Sequence, residues 1–286
     1  MTVNDFYKSI FHTKTYKISL NSGCTCPTRD GTLDTRGCIF CSATGSGDFT
    51  AETIEEAKKI VAGKIKNPES AKYIAYFQNF TNTYGDLHKL EEQWKAALNS
   101  PQISGLAIAT RPDCLSTECL EVLGNIANQT FLQVELGFQT CNEKTAQYIR
   151  RGFPNEVYIQ AVKNLHKANP KIHIVTHIMF GLPGDTSQDM MNSIRTALAA
   201  GTDGIKITCL YILKGTDLEK DFYDGKITPL SEDEYFNLLE EALKMIPDNI
   251  IIHRLTGDPP KALLLEPKWT MNKKKVLNKL NELLDS

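Results

Sequence analysis

Short apolar runs alternate along the chain with longer stretches of helical periodicity. Residues 16–20, 73–78, 105–110, 131–138, 172–180, 204–213 and 250–253 are rich in aliphatic, β-branched and aromatic side chains, and they predict strands. Apolar residues recur at three- and four-residue spacing over 52–66, 87–98, 117–127, 143–149, 157–168, 187–199, 232–245 and 272–284, which predicts helices. A strand-then-helix order calls for parallel strands joined by right-handed crossovers. Six or seven such units suit an open barrel better than a closed one of eight. The predicted class is α/β, a partial (β/α)6-type TIM-like barrel over residues 16–225. Residues 1–15 read as an N-terminal extension, and 226–286 as a C-terminal helical and strand extension packed on the barrel.

Composition narrows the function classes. Of 286 residues, 41% are apolar, enough for one large core. The net charge of −2 argues against a protein that coats nucleic acid by bulk electrostatics. Local basic runs remain, Lys273-Lys274-Lys275 and Arg150-Arg151, each equally at home on a solvated face. No segment reaches membrane-spanning length; the nearest, 172–179, is interrupted by His173 and His177. The N-terminus lacks the basic-then-apolar pattern of a secretory leader, so a cytoplasmic location is expected. Thiols stay reduced there, and the eight cysteines do not read as a disulfide framework.

Three of those cysteines are grouped. Cys26, Cys38 and Cys41 follow the spacing C-x11-C-x2-C within a loop rich in Gly and flanked by Pro27. Three thiolates without a fourth suit a 4Fe–4S cluster with one iron left open. With Cys24 included the stretch also offers four thiolates for structural zinc, although C-x-C is a poor half-site. Buried, unrelated thiols are the third reading. Cys114, Cys119, Cys141 and Cys209 show no metal spacing and read as packing residues.

In parallel α/β folds the chemistry gathers at the C-terminal ends of the strands. Polar residues stand at nearly all of them here: Gln78-Asn79, Tyr84, Arg111 and Asp113, Glu135 and Gln139, His177 and Gly181, Lys206, Arg254 and Asp258. A cluster loop ringed by polar strand ends describes a cofactor pocket, which favours iron–sulfur over zinc.

These residues resemble the radical S-adenosylmethionine (radical SAM) superfamily, within it the YtqA/YhcC-like group related to the radical domain of the Elongator catalytic subunit. The resemblance rests on Cys-Pro-x-Arg-Asp-Gly at 26–31, Asn82-Thr83-Tyr84, Thr110-Arg111-Pro112-Asp113 and Glu135-Leu136-Gly137-Phe138-Gln139. It rests equally on Phe180-Gly181-Leu182-Pro183-Gly184, Arg254-x2-Gly257-Asp258 and Pro267-x-Trp269. The first cysteine interval departs from the superfamily's commonest C-x3-C-x2-C.

The resemblance implies a radical-SAM-type barrel holding a 4Fe–4S cluster on Cys26, Cys38 and Cys41. It implies reductive cleavage of S-adenosylmethionine to a 5′-deoxyadenosyl radical, which takes a hydrogen atom from substrate. An electron donor such as flavodoxin or ferredoxin follows. Gln78 and Asn79 stand where related enzymes hold the methionine amine, and Arg151 where an arginine pairs with the methionine carboxylate. A surface cation at a helix end is the plain alternative for Arg151. Glu135 and Gln139 lie four apart on one strand, so both face one side and suit ribose hydroxyls. Phe40 and the strand end at Gly181 would cradle adenine. Lys206, His177 and Tyr84 fall to the substrate as catalytic residues. His177 also reads as a satisfied core histidine, and Arg254 with Asp258 as a structural pair. The group resemblance extends to tRNA as partner, through wobble-uridine modification of the xnm5U type. The rivals are a radical enzyme acting on a small molecule or protein, and a non-catalytic zinc-stapled binding module.

Overall fold

A computed structural model describes all residues except 46–48, 64, 66 and 286. Seven parallel strands form a curled half-barrel: β1 (Thr15–Leu20), β2 (Lys72–Phe77), β3 (Ile103–Thr110), β4 (Phe131–Gln139), β5 (His173–Phe180), β6 (Gly204–Cys209) and, after a short β7 (Ile212–Leu213), β8 (Ile251–Arg254). They run in the order β1-β2-β3-β4-β5-β6-β8, so each crossover steps to the next strand and β1 and β8 are the two edges. β7 pairs antiparallel with β9 (Leu264–Glu266) in a separate two-stranded ribbon.

The helices are α1 (Val3–Phe11), α2 (Ile54–Ala62), α3 (Leu87–Leu98), α4 (Thr117–Gln129), α5 (Glu143–Tyr148), α6 (Asn155–Ala168), α7 (Ser187–Ala200), α8 (Asp217–Tyr223), α9 (Glu232–Met245) and α10 (Lys273–Asp285). α2 is shorter than the predicted 52–66. Thr53 and Glu56 close a capping box at its start, and Gly63 ends it. Residues 64 and 66 of that prediction lie outside the described residues.

Alternation along the strands creates two environments. On the helix-facing side, Leu132, Val134, Leu136 and Phe138 of β4 join Ile18, Leu106, Ile108, Ile174 and Ile205 in the main core with Trp94. On the concave side the same strands present Lys17, Gln133, Glu135, His173, His177, Lys206 and His253. Both faces of the sheet are covered, so the inward positions enclose a polar lumen rather than meeting bulk water.

Residues 1–15 are more than an extension. Thr2 caps α1 by accepting from the Asp5 backbone amide. Tyr7 and Phe11 then pack on Ile74, Tyr76, Ala107 and Ala109, closing one end of the half-barrel. Burying two aromatic side chains this way contributes roughly 4 kcal/mol before entropy. The predicted run 204–213 breaks at Leu210, where the chain leaves β6 and turns into the ribbon.

Candidate active site

The loop after β1 is held in shape from three sides. Arg29 donates to the carbonyls of Cys41 (3.1 Å) and Ser42 (2.7 Å) and lies 5.4 Å over the Phe80 ring. Arg150 donates to the Gly37 carbonyl at 2.6 Å and pairs with Asp217 of α8. Ile39 is 4% exposed and packs with Ile149, Leu182, Leu210 and Leu218, and Phe40 lies against that cluster. An apolar anchor between two cysteines fixes where both thiols emerge.

Cys26, Cys38 and Cys41 open into one cavity of about 1190 Å³ that runs into the lumen. The Cys26 thiol shares a hydrogen bond with Thr81 at 3.1 Å. Burial pushes the Cys38 thiol up to about 12, with Cys41 and Cys26 adding negative charge and Arg111 and Arg29 opposing it. The three thiols therefore sense one another and two arginines. Among the described residues, no group of three or more His, Cys, Asp or Glu side chains is drawn close enough to hold a single metal ion. Three cavity-lining thiols, with Cys24 packed away from the cavity, fit a cluster that takes three cysteine ligands. Cys24 packs against the main core and does not line the cavity.

The other expected residues divide. Phe40, Gln78, Glu135, Gln139, Arg151, His177 and Lys206 line the cavity; Asn79, Gly181 and Tyr84 do not. Asn79 is buried and donates to Asn21 at 2.7 Å. Gly181 turns at φ 87° toward Leu230. Tyr84 shares its hydroxyl with Thr32 at 2.8 Å on the outer side of the loop. Gln78 accepts from Ser19 at 2.8 Å. Gln139, at φ 64°, folds back so that its amide nitrogen donates to Phe138 and Gly137 carbonyls at 3.1 and 3.3 Å. Gly137 has no Cβ to obstruct that fold.

Two expectations need correction in physical terms. Arg151 is 1% exposed and directs all five donors at protein acceptors. These are the carbonyls of Phe153 (2.9 Å), Phe138 (3.1 Å) and Thr140 (2.6 Å), Glu143 (3.3 Å) and Asn155 (3.0 Å). It is neither a surface cation nor, in this conformation, a fork with donors to spare for a carboxylate. Glu135 lines the same cavity as Gln139, but the strand is irregular between Gly137 and Gln139, and the Glu135 carboxylate is already taken up by buried donors rather than offered to a ribose.

Glu135 instead centres a buried charge cluster. Its side chain is 0% exposed. It accepts from Lys17 at 2.6 Å, Tyr76 at 2.6 Å, His177 at 2.8 Å, Gln133 at 2.5 Å, and Lys206. Burial opposes its charge, yet the lysines and His177 outweigh that and hold the carboxyl well below the ordinary carboxylate range. Burial drives Lys206 down to about 7 against the pull of Glu135. Lys17 was not singled out in the sequence. It alternates with Tyr16 and Ile18, which reads as a solvent-facing position until the sheet curls.

A curled parallel half-barrel with three thiols lining its cavity defines an α/β protein with a thiol-bearing site at the sheet's concave side. Residues 35–197 match the Radical SAM superfamily and residues 202–286 its Radical_SAM C-terminal domain. The chain belongs to the radical SAM superfamily. It is 39% identical to the uncharacterized protein YtqA of Bacillus subtilis, over 100% of this chain and 89% of YtqA. A weaker relative is the tRNA uridine(34) acetyltransferase of Dehalococcoides mccartyi, 26% identical over 54% of this chain and 34% of that protein. Among solved structures, Elp3 of Methanocaldococcus infernus superposes with a TM-score of 0.66 at 17% identity, covering 88% of this chain and 59% of Elp3. That likeness concerns the fold. No helix among the described residues is long and apolar enough to cross a membrane.

Proposed function

We propose that the protein is a radical SAM enzyme whose cluster sits on Cys26, Cys38 and Cys41 and whose S-adenosylmethionine lies in the adjoining cavity. The observation that carries this is the convergence of three thiols on one cavity that runs into the half-barrel. When bound, cluster and cofactor supply one-electron cleavage of the sulfonium and a radical able to remove a hydrogen atom. The chain's own groups bind, orient and exclude water. Phe40, Gln78 and Gln139 face the cofactor's half of the cavity. Arg151 and Arg29 hold the strand end and loop that carry them. His177 and Lys206 line the same cavity beside the buried Glu135 and are left for the substrate. A small redox protein such as flavodoxin or ferredoxin delivers the electron.

The substrate reading is tRNA wobble uridine, supported by the group resemblance and by the relative named a tRNA uridine(34) acetyltransferase. The basic runs do not carry it. Lys273 pairs with Asp258 (2.8 Å), Lys275 with Glu232 (2.7 Å) and Arg150 with Asp217. Arg151 is buried. The positive charge lies inside the cavity instead, which also suits a radical enzyme acting on a small molecule.

Two measurements test this. Anaerobic reconstitution with iron and sulfide, then reduction, should give 5′-deoxyadenosine from S-adenosylmethionine. A colourless protein with stoichiometric zinc ends the radical reading. Mass spectrometry of tRNA nucleosides from a strain lacking the protein should show an altered wobble uridine. An unchanged nucleoside profile removes tRNA and leaves the small-molecule reading.

A further inference from the structure

The lumen carries more positive charge than its buried carboxylate needs. Eight Lys and Arg residues line the cavity against two acids, Glu135 and Asp258, in a chain whose net charge is −2. Several of these cations are committed elsewhere. Arg29 and Arg151 serve backbone carbonyls, Arg111 forks onto Asp113 at 2.9 and 2.7 Å, and Arg254 reaches Asp258 at 3.0 Å. Lys17 and Lys206 are different. They share the single carboxylate of Glu135, which lies wholly behind them at 0% exposure, while their side chains are 20% and 9% exposed.

Each ammonium has three protons. Lys17 directs its own at Glu135 and the Tyr7 hydroxyl, and Lys206 at Glu135 and Tyr76. One donor remains on each, on groups that line the cavity. Two cations facing one buried anion leave an uncompensated positive charge on side chains that are largely buried, which is costly until an anion arrives.

We propose that Lys17 and Lys206 form an oxyanion subsite at the lumen floor for a phosphate or carboxylate of the substrate, with Glu135 as the positioning residue that holds both ammonium groups. This rests on the radical SAM reading of the same cavity. The subsite and the cluster loop have separate partners: the Cys26 thiol meets Thr81 at 3.1 Å and the Cys38 thiol meets the Arg150 carbonyl at 3.8 Å, whereas both lysines meet Glu135. An anion here restores the charge that burial strips from Lys206, so it holds that side chain as ammonium.

The probes are inorganic phosphate and acetate, titrated separately into the anaerobically reconstituted protein with S-adenosylmethionine saturating, and followed by ligand NMR at constant ionic strength. At least one should bind, and the tighter of the two tells which oxyanion the floor prefers. Lys206→Met and Lys17→Met should each weaken it about tenfold, while Lys206→Arg keeps it within about threefold. Glu135→Gln should weaken it and move its pH profile toward lower pH, because the carboxylate that keeps both buried lysines charged and in place is gone; a merely structural Glu135 would leave that profile unmoved. Far-ultraviolet circular dichroism and cluster absorbance confirm that each variant is folded and loaded. The proposal is overturned if wild type binds neither anion, if Lys206→Met and Lys17→Met bind like wild type, or if the anion competes with S-adenosylmethionine. Wild type that forms 5′-deoxyadenosine yet binds no anion sinks the subsite alone. Wild type without cluster or cleavage sinks the radical reading.

Discussion

Replacing Arg151 by Met separates a structural arginine from a cofactor ligand. Methionine keeps the apolar stem between Phe138 and Phe153 but removes every donor. The carbonyls of Thr140 and Phe153 lose this donor, while that of Phe138 keeps the Thr140 amide at 2.9 Å. Leaving a buried acceptor unsatisfied costs about 1 kcal/mol or more, so the loss is about 2 kcal/mol. Glu143 is 50% exposed and rehydrates, so its bond adds little. For a chain of this size the loss corresponds to a midpoint lower by roughly 4 to 7 °C. Thermal unfolding of the reconstituted protein, followed by circular dichroism, reads it directly. Arg151→Lys should fall between wild type and Met, since one ammonium cannot span carbonyls that a planar fork reaches. S-adenosylmethionine affinity of the folded Met variant should change by less than about threefold. An unchanged midpoint with strongly weakened cofactor binding would refute the reasoning and restore the carboxylate fork.

Alanine at Cys26, Cys38 or Cys41 should abolish the visible cluster absorbance, whereas Cys24→Ala should leave it; equal loss in all four would return the loop to zinc. Acid should weaken the fold through His173 and His253, whose ring nitrogens meet at 2.8 Å beside Phe6. Burial lowers His173 from its ordinary 6.5 to about 3, so below pH 6.5 the unfolded chain takes up a proton that the folded one refuses. Stability from the neutral ring is complete above 6.5 and lost as pH falls toward 3, about 2 kcal/mol by pH 5. Urea unfolding between pH 8 and 5 should show this slope, and His173→Phe with His253→Phe should flatten it; an equal slope in the double variant contradicts the assignment. Lys273→Gln with Lys275→Gln should weaken tRNA binding only modestly, about threefold, because Asp258 and Glu232, each shared with a second cation, offset part of their charge. A tenfold drop in a filter-binding assay would mean that the pairs open for tRNA.

The barrel strands were legible because a parallel sheet covered on both sides writes near-continuous apolar runs into the sequence. The cysteine loop was legible because ligand spacing is local. α1 was missed although Thr2, Asp5 and the stripe Phe6-Tyr7-Ile10-Phe11 carried its signature. The β7–β9 ribbon left no signal, since Ile212 meets Glu266 across more than fifty residues. Arg151 shows the limit of spacing: an interval places a guanidinium near the strand end, but only packing decides whether its donors are spent. Lys17 shows another. Its polar position within an alternating strand suggests water on that side, and the curl of seven strands turns the side inward.

Depth within the lumen is what the sequence does not encode, and depth sorts the chemistry. On β4, Gln133, Glu135 and Gly137 share a face at successive levels, roughly 6.6 Å per pair of residues, and the strand becomes irregular before Gln139. Glu135 lies at the level where Lys17, Tyr76, His177 and Lys206 arrive from four other strands. Gln139 lies at the mouth, and its amide folds down over Gly137 into the level between. Ala109 of β3 pairs with Glu135 itself, so the small residue next to the charge cluster is an alanine, and the one above it on β4 is Gly137. Between Glu135 and the strand end, β4 therefore offers a glycine and one folded-back amide rather than a bulky side chain. A molecule anchored near the thiols and another anchored at the lysines would meet along that part of the wall.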